Sequence, residues 1–173
     1  MPTIALLLMH ALASQLPGQH ANGPPESMIP LVQALVDEDF ALVDELLQQQ
    51  GTIERINEVD VISPLYAAQE YVRSSKRRHA LVRRLLRAGA LPDRPTQDGS
   101  TTLMLAAYHG DVRSAQLLLE AGADPLRKNQ QGHHSISAAQ QAGHDELAEL
   151  MREHMGESGV RWTADDVGVK EEL

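Results

Sequence analysis

Four of the eight histidines in this sequence lie close enough together to raise the question of metal binding or acid–base chemistry. They are His109, His133, His134 and His144. Their spacing matches no recognised zinc-ligand pattern, and the chain has no cysteine to supply a thiolate. The sequence also lacks a glycine-rich loop of the form that cradles phosphates. We therefore predict that the chain is not an enzyme and has no cofactor and no metal site.

Basic side chains form a second group with possible chemistry. Seven of the fifteen Lys and Arg residues lie within residues 73–87: Arg73, Lys76, Arg77, Arg78, Arg83, Arg84 and Arg87. Such a cluster could contact nucleic acid or an acidic protein face. The net charge of -9 repels phosphates, and no aromatic side chains interleave the cluster to stack on bases. We therefore expect no nucleic-acid partner, and we expect ion pairs to nearby upstream carboxylates: Asp37, Glu38, Asp39, Asp44 and Glu45.

A repeat of 33 residues indicates which elements position these side chains. Gly99 recurs as Gly132, and Gly110 recurs as Gly143. The apolar positions Leu103, Ala106 and Leu117 recur as Ile136, Ala139 and Leu150. A unit this short has too little apolar surface to fold alone, so it must cover itself against its neighbours.

The best unit has signals for two helices. Thr101 is placed to cap the first helix, and Asp111 begins the second at its positive end. Gly99 and Gly122 lie at turns where a positive φ is expected.

Residues 98–124 carry a family resemblance. They read DGSTTLMLAAYHGDVRSAQLLLEAGAD, which resembles an ankyrin repeat with its T-P-L-H-x-A opening and its closing LLL, two residues and G-A-D. The resemblance implies an all-α fold, an ankyrin-type helix-turn-helix solenoid of about four repeats within residues 27–155. The units span about 27–57, 58–95, 96–128 and 129–155.

The resemblance also assigns roles and exposes departures from the pattern. His144 stands where ankyrin repeats place a structural His at the start of the second helix, and His133 is expected to be a solvated loop residue. The His of T-P-L-H is replaced by Tyr66, Met104 and Ser137. We therefore expect local packing to replace the polar network that joins the turns.

The second unit is longer than the third. Leu65 to Leu103 is 38 residues whereas Leu85 to Leu118 is 33, so five extra residues lie between the two helices of this unit. We predict a bulging loop near residues 72–79. Its basic side chains would border the binding surface: Arg73, Lys76, Arg77 and Arg78.

The flanking segments bear on localisation. Residues 1–26 read as a leader and linker, and residues 4–13 form a short apolar run ending in small residues, like a signal-peptide cleavage site. No Lys or Arg precedes this run, so we expect a cytoplasmic protein. A periplasmic or secreted location is the alternative if residues 1–13 belong to a signal peptide. Residues 156–173, with Trp162, are predicted to pack on the last repeat, and no run is long enough to span a membrane.

Ankyrin-like stacks bind partners through their turn tips and the exposed side of their first helices, which together form a concave surface. Carried over position by position, the pattern assigns thirteen candidate partner-binding residues: Asp60, Ile62, Glu70, Tyr71, Gln97, Asp98, Ser100, Tyr108, His109, Gln130, Gln131, His133 and Gln141. Tyr71 and Tyr108 fall on adjacent units, and tyrosine is common among residues that dominate binding energy.

These observations favour a non-catalytic protein-binding module that works as a monomer and recognises a protein partner. Two alternatives use the same surfaces. One is an inhibitor or immunity-type protein that blocks one enzyme or toxin. The other is a scaffold or adaptor that uses the basic loop and helix of the second repeat.

Overall fold

The computed structural model describes residues 29–37, 39–49, 57 and 63–157. This part of the chain contains helices and no strand. The helices are α1 (Ile29–Val36), α2 (Phe40–Gln48), α3 (Pro64–Tyr71), α4 (Ser75–Arg87), α5 (Thr102–Tyr108), α6 (Val112–Glu120), α7 (Ser135–Gln141) and α8 (Asp145–Glu157).

Consecutive helices pair, and the pairs stack. The first helices of the pairs, α1, α3, α5 and α7, contact one another in one row, while the second helices α4, α6 and α8 form another. Contacts between α5 and α7 are more extensive than those between α6 and α8. We call the row of first helices the inner row and the row of second helices the outer row. This arrangement confirms the predicted all-α helix-turn-helix solenoid.

The core is built from alanines between the first helices and leucines between the two rows of helices. Ala67, Ala106 and Ala139 are fully buried on successive first helices, and their small side chains allow close approach. The largest fully buried side chains are mostly leucines: Leu31, Leu35, Leu65, Leu81, Leu85, Leu103, Leu118 and Leu147. Burying one of these leucine side chains stabilises the folded chain by about 1.5–3 kcal/mol relative to leaving it exposed.

Polar caps start the helices where the sequence predicted them. The Thr101 hydroxyl accepts a hydrogen bond from the Met104 amide, and Asp111 accepts one from the Ser114 amide. The predicted cap at Thr101 and the predicted helix start at Asp111 are both confirmed. Gly99 and Gly122 have φ of 83° and 90°, as predicted. Gly122 closes α6 because its left-handed conformation turns the following Ala123 amide back to donate to the Leu118 carbonyl at 3.0 Å.

The predicted bulging loop in the second repeat is wrong. Only residues 72–74 connect α3 to α4, and the extra length extends α4 at its start to 13 residues, against 9 in α6. Arg73 lies in this short connection, whereas Lys76, Arg77 and Arg78 lie in the first turn of α4. An added helical turn satisfies backbone hydrogen bonds that an irregular loop would leave to solvent.

Several sequence predictions fall outside the described residues. They concern the leader and linker at residues 1–26, the candidate residues Asp60 and Ile62, Glu38, and the tail with Trp162. Among the described helices, none has both the length and the apolar character that a membrane crossing requires.

Candidate protein-binding surface

Tyr108 is the most prominent aromatic side chain of the inner row. It ends α5 and is 59% exposed, the largest fraction among the exposed large hydrophobic residues of the described chain. Its ring centroid lies 5.7 Å from that of His109, with the two planes tilted by 54°. Both side chains are exposed, as the prediction of a binding role requires.

Helix α3 places a second aromatic group on the inner row. Tyr66 and Tyr71 are half-buried and Glu70 is exposed. The pKa of Tyr66 is raised, first by burial and then by the charges of Glu70 and Asp98. The pKa of Tyr71 is raised by burial and then by Glu70. The carboxylates of Glu70 on α3 and Asp98 in the next repeat therefore both place negative charge near Tyr66.

Sequence reasoning missed Tyr66 as part of this group. It occupies the position of the pattern's structural His, where the sequence predicts local packing. The available signal was Glu70, four residues later, because residues at this spacing share one face of a helix.

Hydrogen bonds join the turn tips, which are the loops that precede α5 and α7. The expectation that local packing replaces the polar network between the turns is therefore wrong. The Gln130 amide donates to the Asp98 carbonyl at 2.9 Å, and the Gln130 side chain donates to the Gln97 carbonyl at 2.7 Å. The Asp98 carboxylate accepts from the hydroxyls of Ser100 (2.7 Å) and Thr96. Burial raises the pKa of Asp98, but these hydrogen bonds outweigh it and hold the pKa below its usual range.

These bonds divide the predicted site residues of the turn tips into two groups. Gln130, Asp98 and Ser100 use their side chains within the protein. Gln97, Gln131 and His133 have exposed side chains, and the Asn129 side chain holds the backbone amides of Gln131 and His133 at 3.1 and 2.9 Å. Gln141, at the end of α7, is also exposed.

Two other histidines have structural positions. The His134 ring caps α7 by accepting from the Ser137 amide at 3.2 Å, while the Ser137 hydroxyl accepts from the His134 amide at 2.9 Å. The His144 ring lies against Gly110, where an added Cβ would come within 2.6–2.7 Å of it. The structure thus agrees with a structural role for His144 and exposes His133 as predicted.

A buried carboxylate joins the second and third repeats at the turn between their helices. One oxygen of Asp111 accepts from the Arg78 guanidinium (2.7 Å), the Ser114 hydroxyl (2.9 Å) and the Gln69 amide (3.2 Å). The other lies 2.8 Å from the His79 ring and accepts from the Ser114 amide at 3.1 Å. Sequence reasoning had assigned Asp111 only a helix start, and Arg78 a surface loop.

The chemistry of this cluster is structural. Burial raises the pKa of Asp111, but hydrogen bonds from the Ser114 amide and the side chains of His79, Gln69 and Arg78 outweigh it and hold the pKa well below its ordinary value. The carboxylate lies between His79 and the fully buried Ser114, whereas a nucleophilic triad places the histidine in the middle. Within the described residues, no group of three or more His, Cys, Asp or Glu side chains could hold a metal ion.

The expected ion pairs of the basic cluster form in part. Arg84 pairs with Asp44 of the preceding repeat at 3.3 Å, and its guanidinium lies 4.8 Å from the centre of the Phe40 ring. Arg78 instead pairs with Asp111 of the following repeat. Asp39 caps α2, and Asp37 accepts from the Gln33 side chain.

Comparison with known families agrees with this architecture. A family model described as ankyrin repeats (3 copies) matches residues 29–129 and 65–161. A search of curated proteins found no match. Ankyrin repeats are generally protein–protein interaction modules and are typically non-catalytic. The helix-pair stack and the cap and glycine positions agree with this match, which covers most of the chain. The chain belongs to the ankyrin repeat family.

Proposed function

We propose that this chain is a non-catalytic module that binds a protein partner through the inner row of its stack. The observation that carries the proposal is the exposure of Tyr108 on that row, beside His109 and one repeat away from Tyr71. A large side chain with few rotatable bonds, left 59% exposed, buries much area on binding at a low entropic cost.

The chemistry of the surface favours a partner with basic side chains. After burial, the charges of Glu70 and Asp98 contribute to the raised pKa of the half-buried Tyr66. A Lys or Arg from a partner would meet these carboxylates and could also lie over a tyrosine ring. The bonded turn tips hold this surface in place before binding, which lowers the cost of ordering it.

The test is a binding measurement with Tyr108→Ala. Partners are captured from cells that naturally contain the protein, and each is then titrated as a purified protein against both forms. We expect Tyr108→Ala to weaken partner binding by about 2 kcal/mol, roughly thirtyfold. Because Tyr108 is largely exposed, its removal should leave the melting temperature within about 2 °C of the original.

The matched control is Gln116→Ala, on α6 in the row of second helices. It should leave the affinity within about twofold. If Tyr108→Ala weakens the binding of none of the captured partners, or if Gln116→Ala weakens it equally, the inner row is not the binding surface.

A further inference from the structure

Helix α4 carries a basic stripe, which we define as Lys76, Arg83 and Arg87. These residues are spaced by seven and four along the helix, so they lie on one face, opposite the buried Leu81 and Leu85. All three side chains are exposed. The stripe is about 16 Å long, since a helix rises about 1.5 Å per residue.

In the part of the chain that the structure describes, the stripe has no partners of its own. Within the described residues, the side chains of Lys76, Arg83 and Arg87 make no hydrogen bond or ion pair. Other basic residues of α4 differ in this respect, because Arg78 binds Asp111 and Arg84 binds Asp44.

Helix stability does not account for the start of the stripe. Lys76 lies in the first turn of α4, at the positive end of the helix dipole, where a cation is unfavourable. That turn contains no acidic residue, and Ser74 makes no side-chain capping bond. A basic residue is therefore present where carboxylates would stabilise the helix.

The stripe is only one helix wide. At the positions 33 and 66 residues after Arg83 the chain has Gln116 and Glu149, and after Arg87 it has Glu120 and Glu153. The row of second helices thus changes from basic on α4 to acidic on α8. On the other side, Asp44 of α2 pairs with Arg84, next to Arg83 of the stripe.

We propose that the outer face of α4 is a second docking site, and that its occupant is a narrow acidic segment of a partner protein, such as one helix with carboxylates every three to four residues. Neighbouring helices lie about 10 Å apart, so a nucleic-acid duplex or an anionic bilayer that covered α4 would also extend over Glu120 of α6 and towards Glu149 and Glu153 of α8, about 20 Å away. A single acidic helix meets only the stripe. This site lies on the row opposite Tyr108 and does not depend on the inner-row proposal.

The test uses a synthetic helical peptide of Ala and Glu, about 14 residues long, with Glu at every third or fourth position. The full chain is compared with a variant that combines Lys76→Gln, Arg83→Gln and Arg87→Gln. A control combines Arg113→Gln, Arg127→Gln and Lys128→Gln, which removes the same number of exposed cations elsewhere. Circular dichroism checks that all three proteins are equally helical.

We expect the full chain to bind the peptide at low salt, the stripe variant to lose at least about tenfold in affinity, and the control to stay within about twofold. Tyr108→Ala should leave peptide binding unchanged, which separates this site from the inner row. The proposal is overturned by any of four results. These are no peptide binding, equal losses in the two triple variants, tighter binding to duplex DNA or phosphatidylserine vesicles than to the peptide, and self-association of the chain that the stripe variant abolishes.

Discussion

Two buried hydroxyls at the starts of first helices have no hydrogen-bond partner. Thr102 Oγ1 in α5 and Ser135 Oγ in α7 are both fully buried, and neither is bonded among the described residues. The equivalent residue of α3 is Pro64, at a position of the helix that suits proline because its amide needs no partner there. The third and fourth repeats therefore each bury a polar group that the second avoids.

We predict that Thr102→Pro stabilises the protein by about 1 kcal/mol, which would raise the melting temperature by about 3 °C. The preceding Thr101 is already extended, with φ -109° and ψ 164°, as a residue before proline must be. Within the described chain, the Thr102 amide makes no backbone hydrogen bond. Thermal unfolding followed by circular dichroism measures the effect.

Ser135→Pro is the matched control. The Ser135 amide donates to the Pro125 carbonyl at 3.2 Å, so proline there would remove a hydrogen bond as well as a hydroxyl. We expect no gain from Ser135→Pro. Equal stabilisation by both substitutions would mean that the Pro125 bond contributes nothing, and destabilisation by Thr102→Pro would contradict our reading of α5.

Residue-level features were predictable where the cause is local. The caps Thr101 and Asp111 and the positive φ of Gly122 follow from residues within one helical turn. The clustering of Tyr66 with Asp98, and of Arg78 with Asp111, depends on residues 32 and 33 positions apart. A single sequence contains no signal for those contacts beyond the repeat itself.

At the scale of elements, the longer helix α4 is the main departure from the regular repeat. The sequence located the extra residues correctly but not their conformation. The residues are helix-compatible Lys and Arg side chains, and the Asp111 carboxylate of the next repeat anchors Arg78 and His79 in the added turn. A contact from a neighbouring repeat thus supports a helix where a repeat pattern suggested a loop.

We predict that Asp111→Asn lowers the free energy of unfolding at neutral pH by about 2–4 kcal/mol. Either orientation of the amide would point its NH2 group at an N–H or guanidinium donor, and Arg78 would lose its counter-charge. Asp39→Asn is the control, because Asp39 caps α2 with a single bond to the Leu42 amide and asparagine caps equally well. Chemical denaturation of both variants measures the difference.

The Asp111 carboxylate should also make the free energy of unfolding depend on pH. The pKa of Asp111 is lower in the folded chain than in the unfolded one, so its contribution is complete above about pH 4 and is lost as the pH falls further. We expect the gap between the original chain and Asp111→Asn to narrow steadily below about pH 4. A gap that stays constant down to about pH 2 would show that the charge of Asp111 is not what stabilises the contact.

For the whole molecule, the repeat period was enough to predict the fold, and the comparisons identified the family. The period was visible because each unit must present the same apolar and glycine positions to its neighbours. Binding residues are under no such constraint, so the sequence could place candidates on the inner row without showing which of them bind. Tyr108 and His109 are exposed there, Ser100 and Gln130 are bonded within the protein, and the binding role of all of them stays a prediction.

The two rows of helices give the molecule two chemically different sides. The inner row combines tyrosines with carboxylates, whereas the outer row changes from basic on α4 to acidic on α8. A partner that needs tyrosine contacts and a partner that needs positive charge would therefore bind on opposite sides of the same stack.

Photo-cross-linking in cells that naturally contain the protein tests most directly whether a protein partner binds on the inner row. A benzoylphenylalanine is placed at Tyr108 on the inner row, or at Glu153 on the exposed side of α8, and the cells are irradiated. We expect a discrete protein adduct from the position of Tyr108 and none from that of Glu153. Adducts from Glu153 alone would contradict the inner-row proposal, because the partner would then contact α8 and not Tyr108.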